Sequence, residues 1–264
     1  MTTSNVPNIL YHYTTLEGLL GIIRDKEIWA SSIWHLNDTS EFAYTLDLVR
    51  GELKDGCFKK HKCRDAILQK LDLITQMYKL RRYVTSFSED DDLLSQWRAY
   101  GGKGGGFTIG FNVRRLRQAG ATPEYQLKKC IYEREEQLEI LEKGTHDCAE
   151  KPDPVDAFLA CAFENATIFK DKSFHEESEW RLISPPDSEF SDKPPETRYP
   201  ETRAGRYMLI PYRKFPYPKD SLVRVKIGPT PHPDQSKLSV ETLLQTKGFN
   251  NVEIQYSTIP FRNW

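Results

Sequence analysis

Ile9-Leu-Tyr-His-Tyr-Thr14, a short amphipathic segment and then Ile28-Trp-Ala-Ser-Ser32 read as strand, helix, strand. Thr14 or Thr15 caps the intervening helix, and Leu16, Leu19, Leu20 and Ile23 form its apolar stripe. The first strand leaves His12 near its end, beside a small hydroxyl residue. Whether that imidazole faces a cleft or the core decides whether this part of the chain handles a ligand.

Working outward, helical periodicity covers 41–53 and 60–82, and strand patterns cover 83–88 and 107–111. Leu93 to Tyr100 reads as one short helix, Val113 to Ala119 as another, and Gln126 to Tyr132 as strand. A helix follows from Glu133 to Lys143. Asp153-Pro154 starts the next, with Val155, Phe158, Leu159, Ala162, Ala166 and Phe169 on its buried face. Glu179 to Ile183, Leu222 to Ile227 and Val252 to Tyr256 read as strands, the last two flanking a helix around 240–247. Residues 184–220 hold eight of the sixteen prolines and read as loop, with a strand at Tyr207 to Ile210. The irregular interleaving indicates an α+β fold.

The 264 residues suit one large domain and a substantial core. Net charge is -1, so there is no global pull toward nucleic acid or membrane. No window approaches the ~20 apolar residues of a membrane span, and no secretory signal pattern opens the chain. Five cysteines, an odd number, fit reduced thiols in a cytoplasmic protein. Cys57, His61 and Cys63 lie close together, but their spacing fits no standard zinc finger.

Several groups carry chemical potential. Ser86 and Ser88 share one side of their strand. Trp97 and Tyr100 share a helix face, while Arg98 points elsewhere and suits an anion. Gly-Gly-Lys-Gly-Gly-Gly at 101–106 precedes a strand, unlike phosphate-binding loops, and reads as a flexible connection. In Phe174-His-Glu-Glu-Ser-Glu-Trp-Arg181, strand alternation puts Glu177 and Glu179 on one face. There is no Gly-x-Ser-x-Gly elbow and no His-Glu-x-x-His.

Leu10-Tyr-His-Tyr-Thr14, Trp29-Ala-Ser-Ser32, Leu36-Asn-Asp38, Ser86-Phe-Ser-Glu89, Gln96-Trp-Arg-Ala-Tyr-Gly101, Ser178-Glu-Trp-Arg181 and Ile259-Pro-Phe-Arg262 together resemble an uncharacterised bacterial domain family. More distantly, the Tyr-His-x-Thr strand followed by helix and strand is similar to the start of the ADP-ribosyltransferase superfamily. That resemblance implies a single domain over 1–264, with a split, mainly antiparallel sheet, flanking helices and a proline-rich loop at 184–220. It implies NAD as substrate and no metal. One branch of the superfamily carries His, Tyr and Glu in that order, which places His12, Tyr100 and Glu179 in the catalytic roles. Tyr13 and Tyr83 compete with Tyr100, and Glu177 competes with Glu179. His12, Thr14, Ser86, Arg98 and Tyr100 would contact NAD.

The chemistry behind this expectation is cleavage of the ribose–nicotinamide bond, which develops oxocarbenium-like charge on the sugar. Glu179 would stabilise that charge, as carboxylates do in glycoside hydrolysis. Tyr100 would pack the nicotinamide ring and Arg98 would meet the pyrophosphate. The expected activity is ADP-ribosyl transfer or NAD glycohydrolysis, as in a bacterial toxin or defence effector, with nucleic acid, protein or water as acceptor. Two other readings compete with it. One is a non-catalytic nucleotide- or nucleic-acid-binding module on the same scaffold. The other is a Mg²⁺ nuclease using Asp38, Glu41, Glu177 and Glu179.

Overall fold

A computed structural model describes residues 6–36, 40–77, 82–102, 105–118, 125–149, 153–186, 199–205 and 207–260. The first unit is β1 (Ile9–Thr14), α1 (Leu16–Asp25) and β2 (Glu27–Ser32). Thr15 caps α1 by accepting a hydrogen bond from the Gly18 N–H. The buried positions of α1 are Leu19, Ile22 and Ile23, whereas Leu16 and Leu20 are exposed. Its apolar stripe is therefore rotated from the expected one, because Ile22 lies one turn beyond Leu19 on the core side.

The middle of the chain runs α2 (Ser40–Lys54), α3 (Arg64–Met77), β3 (Tyr83–Ser88), α4 (Leu94–Tyr100), β4 (Phe107–Asn112) and α5 (Val113–Arg117). Next come β5 (Gln126–Lys129), α6 (Arg134–Ala149), α7 (Pro154–Asn165) and β6 (Glu179–Ile183). The chain then forms β7 (Glu201–Ala204), β8 (Leu209–Pro216), β9 (Leu222–Ile227), α8 (Pro233–Thr246) and β10 (Glu253–Tyr256).

These strands form one mixed, mostly antiparallel open sheet in the order β10-β9-β4-β1-β3-β2-β8-β7. Off this path β6 pairs with β3 and β5 with β6, and β9–β10 is the parallel pair among the described strands. The fold class is α+β.

Two corrections concern the C-terminal third. The 184–220 stretch contains a hairpin, β7–β8, within its described residues; 187–198 lie outside them. Pro211 pairs with Thr202, while β8 pairs with β2 only from Tyr212 onward. The missing Pro211 N–H therefore costs no ladder bond on the β2 side. Helix α8 begins at Pro233, well before the expected 240, because a proline at the first helical position loses no hydrogen bond.

Both faces of the sheet carry core. On one, Leu10, Phe87, Ile109, Phe111, Trp180 and Val225 pack with α1, α5 and α8. On the other, Val84 and Ile183 pack under α2, α3, α6 and α7. The buried face of α7 contains Phe158, Leu159 and Ala162, as its sequence spacing indicates.

Near its middle the sheet forks. Strand β1 meets β3 at Tyr11↔Ser88, whereas β2 meets the same strand at Ser31↔Val84 and Ser32↔Tyr83. Both run antiparallel to β3, so β1 and β2 diverge around Thr85 and Ser86.

Candidate functional site

The register sets which side chains can meet, because directly paired residues project to the same face. Tyr11 pairs with Ser88, and Ser88 with Glu179. His12 pairs with Ile109, which lies in the opposite core. His12 and Glu179 therefore occupy opposite faces, two strands apart, about 10 Å in the plane of the sheet. The expected convergence of His12, Tyr100 and Glu179 on one cleft does not follow from this arrangement. The residue of β1 in the row of Glu179 is Tyr11.

His12 fills the fork. Its Nδ1 lies 2.9 Å from the Ser86 carbonyl oxygen. A carbonyl only accepts, so Nδ1 carries the proton and Nε2 the lone pair. Burial pushes the His12 pKa down, and the bond to Ser86 opposes this only in part. The imidazole is thus neutral. It satisfies a backbone carbonyl that β1 leaves behind as it departs from β3.

Glu179 is buried within a charged cluster. Its Oε1 accepts from Arg181 Nε at 2.7 Å, and its Oε2 from Lys170 Nζ at 2.7 Å and Arg181 Nη2 at 3.2 Å. Burial alone would raise its pKa. The Arg181 and Lys170 charges outweigh that and hold the carboxyl well below the usual range. Its backbone N–H donates to Tyr132 Oη at 2.9 Å.

The Glu177 carboxylate reaches the same Lys170 Nζ at 2.6 Å, but its side chain is 22 % exposed. The strand begins only at Glu179, and Ser178 is left-handed at φ 43°. The two carboxylates thus meet on one lysine through a turn rather than through strand alternation. Lys170 follows α7 with no local signal of its role, and sequence reasoning missed it. Arg181 stood in a quoted motif but without its carboxylate partner.

Tyr100 and Arg98 are exposed on α4, with Tyr100 at 36 %. The helix is anchored by Trp97, whose ring meets Tyr13 edge-on at 4.9 Å and whose Nε1 donates to Asp92 at 2.9 Å. Thr14 turns its hydroxyl against Gly18, where an added Cβ would fall 1.9 Å from Thr14 Oγ1. Ser86 is partly exposed on the face that carries Glu179. Tyr83 is buried.

The glycine run, expected to be a flexible connection, is a close backbone crossing at its described positions. A Cβ on Gly105 would lie 1.7 Å from the Pro229 carbonyl oxygen, and one on Gly228 would lie 2.0 Å from the Gly105 carbonyl oxygen. Gly105 has φ +98°, a conformation that disfavours a side chain.

Beside it, residues 89–92 tie neighbouring strands together. Asp91 pairs with Lys226 at 2.7 Å, and Glu89 accepts from Trp180 Nε1 at 2.8 Å and Lys129 at 2.7 Å. Asp92 also accepts from Ser257 Oγ at 2.5 Å and the Thr258 N–H at 2.8 Å. The Ile259–Arg262 motif continues from there, with Phe261 and Arg262 outside the described residues.

Among the described residues, no group of three or more His, Cys, Asp or Glu is placed to hold a metal, and no helix is long and apolar enough to cross a membrane. Asp38 and the side chain of Glu41 lie outside them.

Fold and site define an α+β protein whose open sheet forks at a neutral histidine, next to a strand led by a buried ion-paired glutamate. Residues 96–182 match the model of a family described as protein of unknown function (DUF2971), from α4 through most of β6. The matched stretch contains Tyr100, Glu177 and Glu179, and excludes His12. No curated protein and no solved structure matches the chain.

Proposed function

We propose that the protein cleaves the ribose–nicotinamide bond of NAD and passes ADP-ribose to an acceptor or to water, on an ADP-ribosyltransferase-like scaffold. The observation that carries this reading is the partly open Glu177 carboxylate, held at 2.6 Å by the buried Lys170 where the chain enters β6, with Ser88 Oγ donating to the Glu177 carbonyl oxygen at 2.8 Å. Glu177, rather than Glu179, is the carboxylate offered to the ribose. It is paired with Lys170 yet partly open, whereas Glu179 is closed in by two cations. A fixed carboxylate stabilises developing sugar cation charge most effectively where water is scarce. The exposed Tyr100 ring suits the nicotinamide, and Arg98 the pyrophosphate.

Free nicotinamide released from NAD tests the proposal, with Glu177→Gln expected to lower release at least tenfold. Absence of nicotinamide above background, across protein, nucleic acid and water as acceptors, overturns it.

The closed ion pairs of Glu179 favour a second reading, a non-catalytic nucleotide- or nucleic-acid-binding module. Stabilisation by ADP-ribose without turnover would select it.

A further inference from the structure

Beyond the fork, the half-sheet of β2, β8 and β7 carries a surface that the NAD reading does not use. Trp29 is 40 % exposed on β2. It stacks on Tyr212 with ring centroids 4.3 Å apart and planes inclined by 26°. Tyr212 is buried and pinned, its hydroxyl donating to Glu201 at 2.7 Å. The Trp29 ring is therefore backed on one side and open beyond it, a stiff apolar plate rather than a mobile side chain.

The register continues the same face. Trp29 pairs with Lys214, Ser31 with Tyr212, and Arg203 with Ile210. The Arg203 guanidinium is half-buried and donates to Ser31 Oγ at 3.0 Å. Among the described residues it has no carboxylate partner. Glu201, on the same face, is neutralised by Lys214 at 2.7 Å. A half-buried cation held by a neutral hydroxyl keeps its charge for an anion, and a guanidinium matches phosphate oxygens in pairs. Ser31 lies two residues beyond Trp29 on one face, about 7 Å along the strand. That is the span between a nucleobase and its 5′-phosphate.

We propose that this face binds a nucleoside 5′-phosphate, with the base stacked on Trp29 and the phosphate held by Arg203. Stacking of a base on an exposed aromatic is tolerant of base identity and contributes strongly to nucleotide binding. The site is independent of NAD cleavage.

Calorimetric titration of the full chain with AMP tests it, with adenosine and ribose 5-phosphate as partial ligands. AMP is expected to bind more tightly than either. Trp29→Ala should weaken AMP about tenfold, and Trp29→Phe should retain most of the affinity. Arg203→Gln, at the sheet edge, should bring AMP down to the affinity of adenosine. Circular dichroism of each variant shows whether the fold is kept. No AMP binding by the wild-type chain, or equal binding by the folded Trp29→Ala and Arg203→Gln variants, overturns the site. Nicotinamide release from NAD, read on the same wild-type sample, reports on the cleavage proposal alone. AMP binding without release keeps this site and retires cleavage; release without AMP binding does the reverse.

Discussion

Glu179 and His12 are both polar groups in protected places, and each is occupied by a different task. Glu179 balances Lys170 and Arg181 inside the protein. Glu179→Gln leaves two buried cations short of a partner, a change that costs about 3–5 kcal/mol. Chemical denaturation is expected to show that loss directly. Glu177→Gln, at a partly open position, should stay within about 1 kcal/mol of wild type. His12→Phe removes the imidazole N–H that donates to the Ser86 carbonyl at the fork. The unsatisfied carbonyl is expected to lower stability by about 1–3 kcal/mol in urea titrations.

Among the elements, the glycine-rich connection and the acidic loop hold α4 in place, and neither role follows from composition. Gly105→Ala would push a Cβ to 1.7 Å from the Pro229 carbonyl at a φ of +98°. A loss of about 2 kcal/mol or more is expected by thermal unfolding. Gly21→Ala is the contrasting control. It lies within α1 with nothing inside 4 Å of an added Cβ. A gain of about 1 kcal/mol is expected there. A flexible linker would have tolerated Gly105→Ala. The β7–β8 hairpin was hidden for a related reason: prolines argue against strand locally, and only the pairing register shows that Pro211 loses no bond to β2.

Across the whole molecule, buried or partly buried carboxylates tie distant segments together, and this sets the response to pH. Burial raises the Asp92 pKa, but hydrogen bonds from Ser257, Thr258 and Trp97 outweigh it and hold the group below its ordinary value. Glu179 is lowered by its cations. Folded-state values below the unfolded ones contribute stability that is present above about pH 4 and lost as pH falls through the folded values. The melting temperature should therefore drop on the acid side, and Asp92→Asn should flatten that decline while lowering the plateau at neutral pH. By itself the sequence determined most elements and the fold class, because periodicity, caps and strand alternation are local consequences of backbone geometry: β1, α1, β3, β4, α7 and β6 all lie where their patterns indicated. It also singled out Glu177 and Glu179 as rival carboxylates on one face, though the turn at Ser178, and not strand alternation, is what brings them together. Only the tertiary structure decided that His12 and Glu179 face opposite ways, that Lys170 joins the two carboxylates, and that Trp29 stands open over Tyr212. Those facts depend on which strands pair and in what register, and a one-residue shift in register exchanges the two faces.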